Sequence, residues 1–348
     1  MGMEVVNAVL LLFVLIVLSL SATAGQDYDA FLATHSQHAK PISEQQLFQN
    51  LRAARLSFSN STDTFTVTSI NGSLILTPRL NLTAEQLKQN ITSALNIRFL
   101  IDTLPHALRT QPVYLQDTTC ARTRHVTIVD EHVGNLTLTI LHPFSPNGNG
   151  ILGLHGHNSS PKELIEKFYG KDLACAGYTV IIPALRAMNC DQDENTVSKA
   201  FLLNGFTLMG LHVYETLLAT QYARELGLDS LGALAHSGGS SLLHLTLLYE
   251  PGITAIVHDY PPNYFNFCGP GRIHDETIPA LQPYTAMIQN TTVPRLHMPY
   301  NFIENKTAVP AQHIISFFDT KLPQQSWFKR LVYTARRWIT QSIHLYIS

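Results

Sequence analysis

The sequence from residue 120 onward predicts an α/β fold, in which a mostly parallel sheet carries helices on both faces. Short runs rich in β-branched and other apolar residues recur along this stretch, and each run has the length of one strand. Helical patterns separate the runs, and strands that alternate with helices favour parallel pairing. The predicted strands are residues 126–129, 136–141, 151–154, 178–182, 231–235, 253–257 and 293–300, with 328–333 as a candidate eighth strand.

The helical segments between these strands complete the predicted layers. Ligands of open α/β sheets bind at the carboxyl ends of the strands. We therefore expect the functional residues in the loops that follow these ends. The helical patterns cover residues 161–170, 197–226, 240–249 and 309–322.

The bulk composition limits the classes of partner. The chain has 348 residues, of which 45% are hydrophobic and 14% charged, so it can bury a sizeable core. The formal net charge is −2, and the sequence has neither a basic stripe nor an acidic tail. This composition gives no support for a nucleic-acid partner or an electrostatic membrane partner. It leaves the oligomeric state open.

The first 24 residues have the pattern of a secretory signal peptide. A nearly unbroken apolar run covers residues 5–20, and the small residues Ala22, Thr23 and Ala24 then offer a cleavage site. Cleavage would leave residues 25–348 in the secretory lumen or outside the cell, with no membrane contact. The alternative is an uncleaved segment that anchors the protein, since the run is nearly long enough to span a bilayer.

Eight N-x-S/T sequons support a secreted glycoprotein. A single sequon is weak evidence, but eight behind a signal-like leader are better evidence. We expect Asn158 to carry no glycan if the protein is an enzyme, because that sequon lies in a suspected active-site loop. The sequons are at Asn60, Asn71, Asn81, Asn90, Asn135, Asn158, Asn290 and Asn305.

Four cysteines allow two disulfides in an oxidising compartment. The sequence does not choose among the three pairings, and it contains no C-x-x-C motif. The cysteines are Cys120, Cys175, Cys190 and Cys268.

Residues 25–119 differ from the rest and are interpreted as an N-terminal extension. Residues 65–70 and 73–76 predict a β-hairpin around a tight Asn-Gly turn. Thr83 is placed to cap a helix that runs through Leu95 towards Leu100. The region is either packed on the main domain or a propeptide.

The segment around Ser237 carries the strongest functional signal. A small apolar strand ends at Ala235, Ser237 follows at a tight turn, and a helical pattern begins just after it. The residues two before and two after the serine, Ala235 and Gly239, are small, as they must be where strand and helix nearly touch. This arrangement resembles the G-x-S-x-G nucleophile elbow of α/β-hydrolases. The resemblance implies an α/β-hydrolase domain over residues 120–348, with Ser237 as its nucleophile.

A second motif, Leu-His-Gly-His-Asn at residues 154–158, ends the predicted strand 151–154. It resembles the H-G-x loop of the same family, in which a backbone N–H after the glycine forms half of the oxyanion hole. The residue after the nucleophile supplies the other half. The resemblance therefore implies that the N–H groups of His157 and Gly238 bind the oxyanion.

The segment 202–215 is similar to the helix before the elbow in the dienelactone-hydrolase-like and acetyl-xylan-esterase-like branch. Gly205 and Gly210 lie within this helical pattern, where glycine costs stability. We interpret them as positions of close core packing and not as site residues.

The resemblance also implies an acid and a histidine that complete a triad. Asp259, at the end of the strand 253–257, is the first choice for the acid, and Glu304 is the alternative. No histidine occurs where the family has one, and His344 is the only histidine late in the chain. We take Ser237, Asp259 and His344 as the predicted triad.

These residues predict a secreted serine hydrolase that acts on a carboxylic ester, either an acetylated carbohydrate or a small acyl compound. The chemistry requires no cofactor. His155 and His157 would point to the same side of an extended strand, but no H-E-x-x-H spacing occurs, so we expect no metal. The alternative is a binding or structural glycoprotein on a catalytically degenerate hydrolase scaffold, which the missing histidine favours.

Overall fold

The computed structural model has an eight-stranded mixed sheet at its centre. It describes residues 67–70, 73–76, 82–113, 119–188, 191–228, 230–260, 275–276, 278–289, 292–298 and 309–323. The strands of the central sheet are β3 (Arg109–Val113), β4 (Ala121–Asp130), β5 (Gly134–Pro143), β6 (Gly150–Leu154), β7 (Thr179–Pro183), β8 (Leu231–Ala235), β9 (Ile253–His258) and β10 (Arg295–His297).

The strand order from one edge to the other is β3-β4-β5-β7-β6-β8-β9-β10. The pairs among β3, β4, β5 and β7 are antiparallel, whereas β7, β6, β8, β9 and β10 pair in parallel. This arrangement confirms the predicted α/β class. It also puts the ends of β6, β8 and β9 side by side, where the sequence placed the functional loops.

Helices cover both faces of the sheet. Successive residues of one strand belong to different apolar clusters, as with Ala233 and Leu234, because side chains alternate across a strand. Helices α1, α6 and α7 pack on one face, and α3, α4 and α9 pack on the other. The helices are α1 (Ala84–Leu95), α2 (Arg98–Asp102), α3 (Pro161–Lys167), α4 (Gly170–Cys175), α5 (Asp191–Leu203), α6 (Leu208–Glu225), α7 (Gly238–Thr246), α8 (Thr285–Gln289) and α9 (Ala311–Lys321), and a 3₁₀ helix spans Pro279–Tyr284.

The predicted helix 197–226 is in fact two helices, α5 and α6. The chain breaks at Gly205, whose φ of 76° lies in the left-handed region, and Thr207 then caps α6 by accepting a hydrogen bond from the Gly210 N–H. A Cβ at Gly210 would lie 2.9 Å from the carbonyl oxygen of Leu95, so α6 and α1 do pack closely there.

Two further boundaries differ from the prediction. The helix predicted over 161–170 ends at Lys167, because Tyr169 adopts φ 65° before α4 begins. Strand β10 covers three residues of the predicted 293–300. Pro294, just before it, has no N–H to donate to a neighbouring strand. The candidate strand 328–333 lies outside the described residues.

The N-terminal extension is in direct contact with the main domain. Its hairpin consists of β1 (Val67–Ile70) and β2 (Ser73–Leu76), which pair antiparallel as predicted. Thr83 caps α1 in a reciprocal capping box with Gln86. Helix α1 ends at Leu95 because Asn96 turns left-handed, and the short α2 follows. The extension also supplies β3, the edge strand of the central sheet.

One disulfide, Cys120–Cys175, joins the residue before β4 to the end of α4. It selects one of the pairings that the sequence left open, whereas Cys190 and Cys268 lie outside the described residues. Within the described ranges, no helix is both long enough and apolar enough to cross a membrane.

Candidate active site

Ser237 lies at the tip of a strained turn between β8 and α7. Its backbone adopts φ 50° and ψ −123°, a region that a residue with a side chain seldom occupies. The side chain does not cap α7, and Oγ makes no hydrogen bond to the described part of the chain. Strain of this kind persists where the surrounding structure imposes it, and it is typical of functional sites. The turn places Ser237 at a partly exposed position.

The loop after β6 packs directly against this turn. A Cβ at Gly156 would lie 2.7 Å from the Cβ of Ser237, and a Cβ at Gly239 would lie 2.5 Å from the carbonyl oxygen of Leu154. Neither position can accommodate a side chain without movement of the backbone. The two glycines therefore bring the loop and the turn into contact, as the small residues in the sequence indicated.

The backbone donors predicted for an oxyanion lie at this contact. Gly238 is the first residue of α7, where an N–H has no partner within the helix and the helix dipole favours negative charge. His157 follows Gly156 in the neighbouring loop, and its ring lies on Gly238, where an added Cβ would be 2.3 Å from Cε1. The two residues thus flank Ser237 from separate segments.

Asp259 lies beside Ser237, and both of its carboxylate oxygens bind the elbow. One oxygen accepts a hydrogen bond of 2.8 Å from the Ser237 N–H, and the other binds Nδ1 of His236. The His236 ring stacks on Phe168 with the ring centroids 4.1 Å apart. Asp259 therefore contacts the turn that carries Ser237, and the histidine that it binds is His236.

The other two predicted site residues, Glu304 and His344, lie outside the described residues. Among the described histidines, none donates or accepts a hydrogen bond at the Ser237 hydroxyl. Their assignment as acid and base stays a prediction.

A buried network that includes His157, whose ring lies on Gly238, was not predicted from the sequence. Nε2 of His157 lies 2.9 Å from Oδ1 of Asp275 and 3.2 Å from Oε1 of Glu194. His212 donates from Nδ1 to Oδ2 of Asp275 at 2.8 Å and from Nε2 to the carbonyl oxygen of Arg186 at 2.7 Å. We call His157, Glu194, His212 and Asp275 the His157 cluster.

Burial and hydrogen bonding oppose each other in this cluster. Burial, the largest single effect, would lower the pKa of His157 and of His212. Their hydrogen bonds to Asp275, together with its charge and that of Glu194 or Glu215, raise both pKa values overall. Burial raises the pKa of Glu194, and it raises the pKa of the neighbouring Glu276 to about 7. The cluster therefore pairs cationic imidazoles with the Asp275 carboxylate, whose pKa they lower.

The sequence does not predict this cluster, because its residues come from four separated segments. Glu194 is on α5, His212 is on α6, and Asp275 precedes the 3₁₀ helix, while His157 follows β6. Sequence spacing shows no metal or catalytic motif in any one of them. The one local signal is His212, a fully buried histidine in the otherwise apolar start of α6.

No family model and no curated protein matches this sequence. Many solved structures, among them the following three, are similar in fold. A Bacteroides fragilis protein described as an acetyl xylan esterase is 11% identical, with 70% of this chain and 86% of that chain covered at a TM-score of 0.44. Dienelactone hydrolase from Anabaena variabilis is 16% identical, with 58% and 99% covered at a TM-score of 0.41. Acetyl xylan esterase 1 from Thermoanaerobacterium sp. is 13% identical, with 85% and 77% covered at a TM-score of 0.38. The chain itself has the α/β architecture of a mixed, mostly parallel sheet with helices on both faces.

Proposed function

We propose that the protein is a serine hydrolase that cleaves a carboxylic ester, with Ser237 as its nucleophile. The observation that carries the proposal is the strained backbone of Ser237 between β8 and α7, at φ 50°. This conformation presents the hydroxyl at the carboxyl end of the parallel strands, next to the first N–H of a helix. A plain structural turn between a strand and a helix does not need such strain.

The chemistry follows from this arrangement. The Ser237 oxygen attacks the ester carbonyl carbon while a base takes its proton, and the N–H groups of His157 and Gly238 stabilise the oxyanion. The carbon–oxygen bond to the leaving alcohol then breaks, and the alcohol receives the proton. Water attacks the acyl-enzyme by the same route and releases the acid. No cofactor takes part in these steps.

The base is proposed to be His344, which is the candidate that the sequence offers. Of the two carboxylates proposed to orient it, Glu304 is the better choice, because both oxygens of Asp259 already bind the elbow. Asp259 then acts as a positioning residue that holds Ser237 in its strained conformation. The substrate class proposed is an acetylated carbohydrate or a small acyl ester in the secretory lumen or outside the cell.

Labelling with a fluorophosphonate probe tests this function, because the probe reacts with an activated serine and needs no knowledge of the substrate. The secreted protein should be labelled, and Ser237→Ala should abolish the label. Ser240→Ala is the matched control, since Ser240 is a buried serine in the helix that follows Ser237 and its hydroxyl has no hydrogen-bond partner among the described residues. Folded wild-type protein that takes no label would contradict the proposal.

A second candidate function is a binding module on a catalytically degenerate hydrolase scaffold. The observation that favours it is the lack of a hydrogen bond between Ser237 Oγ and any described histidine. The same labelling experiment separates the two candidates, because a retired scaffold would hold Ser237 in place without a base to activate it.

A further inference from the structure

The His157 cluster brings three different donor groups to one point. Nε2 of His157 and one carboxylate oxygen each from Glu194 and Asp275 all lie within 4.8 Å of one another. Both carboxylate side chains are almost fully buried, with 1% and 0% of their surface exposed, whereas His157 keeps 12%. Two buried carboxylates this close repel each other unless a cation or shared protons lie between them. Without a metal the Nε2 proton of His157 lies there, on its hydrogen bond to Asp275, and an ion bound to Nε2 would replace that proton.

A third acidic side chain, Glu276, is buried next to Asp275 in sequence, with 1% of its surface exposed. Its Oε1 has no hydrogen-bond partner among the described residues, although a buried polar atom normally has one. This oxygen, one residue after Asp275, is a second observation that a group besides the described side chains can be accommodated near the cluster.

The groups around the cluster already hold the carboxylates in place. His212 donates to Oδ2 of Asp275, and the Asp275 backbone N–H donates to Oε1 of Glu194 at 3.0 Å. His212 is itself fixed through its bond to the carbonyl oxygen of Arg186. Metal sites typically have such an outer layer of hydrogen bonds, which orients the ligands before the ion binds.

We propose that His157, Glu194 and Asp275 bind a divalent first-row transition-metal ion such as Zn²⁺. One imidazole nitrogen and two carboxylate oxygens suit such an ion, whereas Ca²⁺ and Mg²⁺ prefer oxygen ligands alone. The separations of 2.9 Å and 3.2 Å from Nε2 to the two oxygens are close to those of adjacent ligands about 2.1 Å from one ion.

An ion at this point would join three segments beside the elbow. His157 belongs to the loop after β6, Glu194 to α5, and Asp275 to the turn before the 3₁₀ helix. Because the His157 ring lies on Gly238, the ion would fix the position of the loop that carries a proposed oxyanion donor. This role is structural, and it holds whether or not Ser237 is catalytic.

Calorimetric titration of the chelator-treated secreted protein with ZnCl₂ tests the site. We expect one Zn²⁺ per chain, a higher Tm when Zn²⁺ is present, and no comparable binding of CaCl₂. Ser237→Ala should bind Zn²⁺ like the wild type, so a failure of the hydrolase proposal would leave this result unchanged. Wild-type protein that binds no stoichiometric Zn²⁺, or that binds Ca²⁺ more tightly, would overturn the proposal.

Variants then locate the ion. Glu194→Gln and His157→Gln should each weaken Zn²⁺ binding by at least about tenfold. Glu166→Gln is the matched control, because Glu166 is an exposed glutamate on α3 that is 55% accessible. If the cluster variants fail to fold, X-ray absorption at the zinc edge of the wild type should show nitrogen and oxygen ligands with one imidazole. Unchanged binding in both folded variants, or a spectrum without imidazole, would overturn the assignment.

Discussion

Asp259 accepts a hydrogen bond of 2.8 Å from the backbone N–H of Ser237, and so ties the end of β9 to the turn after β8. Its second oxygen binds His236, the residue immediately before the serine. One buried carboxylate therefore fixes two consecutive residues of a turn whose φ of 50° is unfavourable by itself. The strain at Ser237 is maintained by this contact between neighbouring parallel strands.

The first prediction concerns the loss of this carboxylate. Asp259→Ala should lower the free energy of unfolding by about 2 kcal/mol, because it leaves buried donors without an acceptor, and it should slow fluorophosphonate labelling. Asp259→Asn keeps an acceptor for the Ser237 N–H, so it should restore part of the lost free energy of unfolding and part of the labelling rate. Urea unfolding and labelling rates measure the two effects. Asp172→Asn, at an exposed position on α4, is the control. An Asp259→Ala protein with the same stability and labelling rate as this control would disprove the positioning role.

The second prediction assigns the base. His344→Ala should slow labelling by roughly 10³-fold, because a serine without its histidine is not activated. His236→Gln should have a much smaller effect, since His236 is held against Asp259 and Phe168. Labelling rates of the two variants at equal protein concentration decide between them. The opposite result, with loss in His236→Gln alone, would give the base role to the His236–Asp259 pair.

Local sequence patterns were sufficient to predict most strands of the sheet and the turn at Ser237. A strand with its own apolar run is predicted well, as β8 is with bounds of 231–235. Edge strand β3 (Arg109–Val113) has no such run and was not predicted. The turn at Ser237 is also local, because the small residues Ala235 and Gly239 are adjacent to it in sequence. The loop after β6 was expected to lie near the turn at Ser237, because the carboxyl ends of parallel strands meet at the same edge of a sheet.

Contacts between distant segments could not be predicted in the same way. The His157 cluster joins residues 157, 194, 212 and 275, and no spacing rule connects them. The break between α5 and α6 depends on Gly205 adopting a positive φ, which the tertiary contacts of Thr207 and Gly210 select. The contact of Asp259 with the Ser237 turn follows from neighbouring strand ends, but its partner His236 depends on side-chain orientation at the strand end.

The third prediction concerns two buried imidazoles, one in α7 and one at the end of β9. His244 and His258 are 1% and 4% exposed, and their ring centroids are 4.9 Å apart. Nδ1 of each donates to a backbone carbonyl oxygen, and neither Nε2 has a hydrogen-bond partner in the described part of the chain. Burial lowers the pKa of His244 to about 4 and also lowers the pKa of His258. Both side chains are therefore neutral in the folded protein near pH 7.

The sign of the pH dependence follows from these lowered pKa values. The unfolded chain binds protons near pH 6.5, whereas folded His244 resists protonation until about pH 4, so its stabilising contribution is complete above pH 6.5 and is lost as the pH falls towards 4. The loss amounts to about 3 kcal/mol for His244. Positive charge on His258, Arg295 or His297 would oppose the protonation of His244 further, whereas the Asp259 carboxylate acts in the opposite direction on His258.

His244→Gln tests this account, because glutamine has no charge at either pH. The free energy of unfolding of this variant should fall less between pH 7 and pH 4.5 than that of the wild type. His106→Gln removes an exposed histidine and should leave the wild-type slope unchanged. Equal slopes in the wild type and in His244→Gln would show that His244 does not resist protonation.

The last prediction concerns the disulfide Cys120–Cys175, which closes a loop across 55 residues. A crosslink of this span restricts the unfolded chain, and its removal should lower the free energy of unfolding by about 4 kcal/mol. The bridge joins the start of β4 to the end of α4, so it also limits separation of that helix from the sheet. Cys120→Ala and Cys175→Ala should each lose the same amount, and the double variant should lose no more than either single variant. Urea unfolding under non-reducing conditions measures all three, and an additive loss in the double variant would mean that the two cysteines stabilise the protein separately.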